Sequence, residues 1–327
     1  MRKKIMMRHM QIETVNLPLA RPMAEENGTR RAVTVIRVAL EEKGFIGQGE
    51  STPVAHYGES ADSVCRQLFA IREAIEQGLT IEQLQKDLSP GAARNALDCA
   101  LWRLNTALKK QTLWQRLGIR PPASVICAQT LSLDSMAKMA AAASHAVAHG
   151  AQLLKIKLDR EQILEKVAAI RAAAPSARLI IDAQASWSGL DLHSLSIALL
   201  PYQIATIEQP LPAGQDEDLQ RFAHPIPLCA DESCRHSGDV AGLRHRYDMI
   251  NIKLDKCGGL TEALAMAREA HVHGLRIMVG CTLGSSMAME AALPVAVDAE
   301  HVDLDGPIWL AADSSPYLTY NLGRIWL

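Results

Sequence analysis

The chain has 327 residues, 48% of them hydrophobic and 21% charged, with a formal net charge of −2 and an isoelectric point near 6.6. A nearly neutral chain offers no basic field for nucleic acid or anionic lipid, and one this apolar is no solvated binding tail. It is long enough to bury a large core and to carry a barrel with a smaller appended unit.

The opening Met1-Arg-Lys-Lys-Ile-Met-Met-Arg-His9 is basic, but no uninterrupted apolar stretch of the signal-peptide kind develops before Gln11 and Glu13. Seven cysteines show neither even pairing nor Cys-x-x-Cys spacing, which suits reduced, mostly buried thiols. A cytoplasmic protein is expected, with no membrane span. The uncharged stretch 139–154 contains His145, His149, Gly150 and Gln152, and it reads as an alanine-rich helix running into a strand.

In chain order, residues 32–40 (Ala-Val-Thr-Val-Ile-Arg-Val-Ala-Leu) have the texture of an antiparallel strand, followed by the turn Glu42-Lys-Gly44 and a short strand at 46–50. Residues 60–77 and 90–107 read as helices, the second with apolar positions at Ala96, Leu97, Ala100, Leu101 and Leu104. This first unit, residues 1–120, is α+β. From residue 121 to 305 strand and helix patterns alternate, with strand candidates at 125–130, 153–158, 179–182, 206–208, 228–231, 249–253, 277–280 and 302–305. Eight is the number of a TIM-type (β/α) barrel, and the α+β unit is expected to cap it, with residues 306–327 packed against that cap.

Three of these strands end in an acid: Leu179-Ile-Ile-Asp182, Ala205-Thr-Ile-Glu208 and Leu228-Cys-Ala-Asp231. From 182 to 208 is 26 residues and from 208 to 231 is 23, each about one strand, one helix and two connections. Ends of successive barrel strands converge on one mouth, where three carboxylates repel unless a cation sits between them. All-oxygen ligation points to a hard ion such as Mg²⁺, one per subunit. Lysines bracket the acids. Lys155 and Lys157 share a face of their strand because side-chain direction repeats every two residues, and Lys253 ends the strand after Asp231. Consecutive strand ends therefore read Lys157, Asp182, Glu208, Asp231, Lys253, a metal site with an amine on either flank.

The combination of Lys155-Ile-Lys157, Asp182, Ile207-Glu-Gln-Pro210, Ala230-Asp-Glu-Ser233, Asn251-Ile-Lys253 and Lys256-Cys-Gly-Gly259 resembles the enolase superfamily, muconate-lactonising subgroup. With Val302-Asp303-Leu-Asp305-Gly-Pro307 it is most similar to the dipeptide epimerases of that subgroup. The resemblance implies an isomerase that moves a proton at the α-carbon of a dipeptide's C-terminal residue, through an enediolate stabilised by Mg²⁺. Lys157 and Lys253 would be the two bases, one per face, with Lys155 supporting. Asp303 and Asp305 would hold the substrate's α-ammonium, and Cys281, Thr282 and Tyr57 would also contact substrate. His56 is read as an exposed loop residue, and the glycine pair after Lys256 as a tight turn instead of a phosphate cradle.

In this family, first-domain loops in the twenties and at 53–59 select the side chain that is epimerised. Glutamate-specific members carry an arginine in the earlier loop where this chain has Asn27. Arg21, Arg30 or Arg31 could take that role, or Glu25 and Glu26 could favour a cationic or neutral side chain. The family's Asp-x-Asn after the third strand is Asp182-Ala-Gln184 here, and Arg103 stands where an aspartate is common, a change assigned to packing between domains. N-acylamino-acid racemisation, o-succinylbenzoate synthesis and cycloisomerisation use the same metal and lysines, and Asp303 with Asp305 argue against them. A lysine Schiff-base aldolase and a metal-dependent binding protein are the more distant readings. Homo-oligomerisation is left open, and glutamate-specific relatives imply a role in peptidoglycan-peptide recycling.

Overall fold

The computed structural model describes residues 8–25 and 28–327, so Asn27 and Glu26 lie outside the described residues. Three antiparallel strands, β1 (His9–Glu25), β2 (Gly28–Glu42) and β3 (Phe45–Ser51), form a sheet in the order β1-β2-β3. On either side of residues 26 and 27, the segment in the twenties is strand: β1 and β2 are paired as far as Glu25↔Gly28, with a register shift between Pro18 and Met23. Proline has no N–H for the ladder, so the irregularity falls where the strand can least keep its pairing. Beyond it, Leu19 and Met23 pack with Trp309 and Leu310 from the other end of the chain.

The two expected helices run Ala61–Glu76 and Ala92–Leu108, with a shorter one at Ile81–Asp87 between them. Ser60 with Ser63, and Thr80 with Gln83, close reciprocal caps at the starts of the first and shortest of these. The helix Ala92–Leu108 lies so close to β3 that a Cβ on Gly47 or Gly49 would stand 2.2 Å from the Ala100 carbonyl oxygen or 2.1 Å from that of Ala96. Only glycine fits there.

After β4 (Ser124–Ile126) come eight parallel strands: β5 (Gln129–Leu131), β6 (Leu153–Lys157), β7 (Arg178–Asp182), β8 (Ile204–Glu208), β9 (Leu228–Ala230), β10 (Met249–Ile252), β11 (Arg276–Gly280) and β12 (His301–Asp303). They neighbour one another in chain order, and the Ala128 N–H donates to the Val302 carbonyl at 2.7 Å, bringing first and last together. Alternation sends Ile156, Ile181, Ile207 and Ile252 outward into the large helix-packed core, while Leu153, Ile180, Cys229, Met249 and Met278 fill the barrel itself. Among the described residues no helix is long and apolar enough to cross a membrane.

The stretch 125–130, read as one strand, is two. Its first part, β4, pairs with the C-terminal hairpin β13 (Thr319–Asn321) and β14 (Arg324–Trp326), and the chain bends at Cys127 and Ala128 before β5 enters the barrel. Both parts are extended, so the bend comes from their different partners. The C-terminal segment divides its contacts likewise: Ala311 donates to Pro18 of the cap at 2.8 Å, whereas β14 lies against β4.

The cap is docked on the barrel through the helix Ala92–Leu108. Arg94 donates to the carbonyls of Cys257 (2.6 Å) and Gly258 (3.2 Å), and Asp98 accepts from the Thr261 N–H (2.9 Å) and hydroxyl (2.6 Å). Gly258 and Gly259 have φ of +87° and +111°, and a Cβ on either would meet Arg94 Nε at 2.4 Å or Asp98 Cβ at 2.5 Å. The glycine pair is therefore the seat of the cap helix as well as a turn. Arg103 donates to the Gln48 carbonyl (2.6 Å) and the Met287 carbonyl (2.7 Å) and pairs with Glu290, so it does bind the two units together.

Candidate active site

Register places the charged strand ends side by side at one mouth. Lys157 is paired with Asp182 and Asp182 with Glu208, while Asp231 follows β9 and Lys253 follows β10. Since β6 and β10 lie two strands to either side of β8, Lys157 and Lys253 flank the acids. A cavity of about 410 Å³ opens over them, walled by Lys155, Lys157, Asp182 and Lys253 and, across it, by Cys281, Thr282, Asp303 and Asp305. Its lid comes from the cap: Met23, Arg30 and residues 52–56. Arg30 is register-paired with Met23, and Arg31, one residue on, faces solvent.

Lys155 and Lys157 share a face but differ in surroundings. Lys155 is buried, with its Nζ 2.8 Å from Glu208, 2.9 Å from Asp303 and 3.2 Å from Asp182. Burial works against its charge, but the carboxylates of Asp182, Asp303 and Glu208 outweigh it and hold the ammonium well above the usual lysine range. Lys253 is 2.5 Å from Asp231, and the same contest between burial and the Asp231 carboxylate raises it too. Asp231 is claimed a second time by the buried Lys256, whose Nζ donates to its Oδ1 (2.8 Å) and to the Asn251 carbonyl (2.8 Å). Despite full burial, the ammonium groups of Lys253, Lys256 and Lys155 hold the Asp231 carboxyl far below the usual range.

Glu208 goes the other way. Burial pushes its carboxyl up to about 7 in spite of Lys155. The Asn251 amide donates to its Oε1 at 2.7 Å, but Oε2 is buried with no hydrogen-bond donor, because Lys155 Nζ stands off the hydrogen-bonding direction. Burial and Asp231 likewise push Glu232 up to about 7. Among the described residues no three acid, His or Cys side chains converge on a common point, since each carboxylate leans on an ammonium group. The donor set nonetheless suits a hard divalent ion: three carboxylates on adjacent strand ends, one with a buried oxygen lacking a donor. Asp182, Glu208 and Asp231 are the residues that could hold it.

The far wall is equally ordered. Asp305 accepts from the Thr130 N–H at 2.7 Å and from Trp309 Nε1 at 3.3 Å, and burial beside Asp303 pushes it up to about 6. The Thr282 hydroxyl donates to Asp255, and the Cys281 thiol is kept neutral by burial and by Asp303 and Asp305. The Tyr57 ring lies under the Arg235 guanidinium, 4.3 Å from the centroid, near enough to Asp231, Glu232 and Lys253 for their charges to act on its hydroxyl, and the exposed His56 lines the cavity. Both lie in a 3₁₀ turn, Ala55–Tyr57. Gln184 stands at the rim with its N–H on Asp182 Oδ1 at 3.1 Å. Asn251 and Lys256 stand in the sequence motifs without a site role of their own, and Thr130 in none. Asn251 precedes Lys253 by two and so shares its face.

Gly280 ends β11 against this machinery. A Cβ there would stand 2.8 Å from Asn251 Oδ1 and 3.1 Å from Lys253 Cε. Gly280→Ala should therefore displace the lysine and slow turnover on the order of 10²-fold, while the melting midpoint moves only a few degrees. Steady-state kinetics beside calorimetry checks this.

Known proteins resemble the chain over nearly its whole length. Residues 7–118 match the N-terminal domain of the mandelate racemase / muconate lactonizing enzyme family, and residues 138–317 match the enolase C-terminal domain-like family. The chain is 47% identical over 310 residues to L-Ala-D/L-Glu epimerase of Escherichia coli (strain K12), covering 95% of this chain and 97% of that one. It is 41% identical over 293 residues to N-acetyl-D-glutamate racemase of Pseudoalteromonas sp, covering 89% and 92%. A crystal structure of an enolase family member from Agrobacterium tumefaciens with homology to dipeptide epimerases, with bound sodium and L-Ala-L-Glu, superposes with TM-score 0.92 at 42% identity, over 98% of this chain and 97% of that chain. Dipeptide epimerase from Enterococcus faecalis V583, complexed with Mg and the dipeptide L-Leu-L-Tyr, superposes with TM-score 0.88 at 28% identity, over 98% and 96%.

Proposed function

This chain belongs to the mandelate racemase / muconate lactonizing enzyme family, and from that premise we propose that it is a Mg²⁺-dependent dipeptide epimerase acting on dipeptides of the L-Ala-D/L-Glu kind. The observation that carries the reading is the pair Lys157 and Lys253, set on opposite flanks of three carboxylates and lining one cavity. Asp182, Glu208 and Asp231 would hold the ion, which when bound offsets the negative charge that grows on the substrate's α-carboxylate as the neighbouring C–H bond breaks. One lysine takes the α-proton from one face of the carbon and the other returns a proton to the opposite face, which inverts the centre. Lys155, tied to three acids, keeps the carboxylates in place and serves no proton. Asp303 and Asp305 receive the α-ammonium, and Cys281 and Thr282 form the wall beside the reacting carbon. Tyr57, within electrostatic reach of Asp231 and Lys253, is a further substrate contact in this assignment.

The unit of residues 1–120 supplies the lid and that of 121–305 the chemistry. Arg30 is the arginine best placed to meet a side-chain carboxylate, because it alone of Arg21, Arg30 and Arg31 lines this cavity. Arg30→Ala should raise KM for L-Ala-L-Glu by about 10- to 100-fold and leave L-Ala-L-Ala within about threefold, as loss of one charge-assisted contact requires. The seven cysteines are free thiols, which favours a reducing, cytoplasmic setting.

Incubation with Mg²⁺ in D₂O of L-Ala-L-Glu, L-Ala-D-Glu and N-acetylglutamate tests the assignment by mass spectrometry. One deuteron gained at the glutamate α-carbon of the dipeptides, with inversion, is the expected result. Exchange in N-acetylglutamate alone would move the assignment to N-acylamino-acid racemisation, the second reading, which the 41% identical racemase favours.

A further inference from the structure

Asp255 lies two residues beyond Lys253, in the helical turn Leu254–Cys257, and is buried at 5% exposure. Among the described residues its carboxylate has no lysine or arginine as a hydrogen-bond partner. It is shared instead by three neutral donors from three other parts of the chain. Oδ1 accepts from the Thr52 N–H at 2.9 Å and from the Asn95 amide at 2.8 Å, both in the cap, and Oδ2 accepts from the Thr282 hydroxyl at the end of the seventh barrel strand. Thr52 begins the segment 52–56 that roofs the cavity, and its own hydroxyl donates to the Leu283 carbonyl at 2.6 Å, next to Thr282. One carboxylate thus joins the roof, the cap helix and the far wall to the turn that follows Lys253.

A buried acid held only by neutral groups is costly, and the same surface filled by an apolar residue would pack without that cost. Its contribution is geometric. Rotation of the turn would need three hydrogen bonds to break together, so Lys253 is fixed relative to the roof that holds the substrate against it. We propose that Asp255 is a positioning residue for the proton transfer at the Lys253 face, coupling the place of the cap segment 52–56 to the aim of Lys253. This rests on Lys253 serving one face of the substrate, as proposed above. Lys157, on the opposite side of the barrel mouth, has no part in the cluster and should be little affected.

The test is α-proton exchange in D₂O, followed separately for the two epimers of the dipeptide, with Lys157→Ala identifying which epimer loses its proton to Lys253. Asp255→Ala should slow exchange of that epimer on the order of 10- to 100-fold more than exchange of the other. Asp255→Asn should restore the wild-type ratio within about threefold, because the amide oxygen keeps Thr52 and Asn95 while its N–H₂ donates to the Thr282 hydroxyl. If Asp255→Ala does not fold, Asn95→Ala removes one of the three bonds and should give the same skew at smaller size. Equal loss at both faces, or a skew that Asp255→Asn leaves uncorrected, would overturn the positioning role. Absence of exchange in the unmodified enzyme would overturn the epimerase reading itself, so the two failures are distinct.

Discussion

Lys157→Ala and Lys253→Ala each abolish net inversion, lowering kcat by about 10²- to 10⁴-fold, the usual contribution of a positioned acid or base. Each variant nevertheless keeps exchanging the α-proton of one epimer with solvent, and the two variants keep opposite epimers. The prediction follows from placement. One strand separates each lysine's own strand from β8, on opposite sides of it, both lysines line one cavity, and neither can reach across to the other's face of a substrate carbon held between them. Proton exchange by NMR in D₂O, with chiral chromatography for inversion, reads both quantities. Loss of all exchange in both variants would mean that the lysines act as a unit and not one per face.

Chelation should have an effect as large. EDTA abolishes activity and Mg²⁺ restores it, because three acids at neighbouring strand ends cannot otherwise orient a carboxylate substrate among them. The dependence should extend to the residue behind the site. Asn251 donates to Glu208 Oε1 at 2.7 Å, and Asn251→Ala should weaken Mg²⁺ binding by about 10- to 100-fold, measured by calorimetry without substrate. Unchanged affinity in that variant would show that Glu208 is held without it.

The line of charged strand ends was legible because each sits at a fixed place in a local pattern: apolar run, charged terminus, then about two dozen residues to the next. What local pattern cannot carry is which of two equivalent positions is buried. Lys155 and Lys157 look alike in sequence, yet three carboxylates from β7, β8 and β12 surround only the first. His56, exposed as its loop setting suggests, also lines the cavity, which no local pattern marks. The strands on either side of residues 26 and 27 were hidden by residues such as Glu25 and Gly28, which resemble a loop until the β1–β2 ladder is seen to reach them. The docking of the cap was beyond any local signal. Arg94 meets Cys257 and Gly258 from 163 and 164 residues away, and Asn95 meets Asp255 from 160.

Anomalous scattering from a crystal soaked in Mn²⁺ and L-Ala-L-Glu is the most direct check on an ion held between two amines. One peak bonded to oxygens of Asp182, Glu208 and Asp231, with the glutamate α-carbon lying between Lys157 and Lys253, is the outcome expected here. A peak bound elsewhere, or an α-carbon with both lysines on the same side, would contradict it.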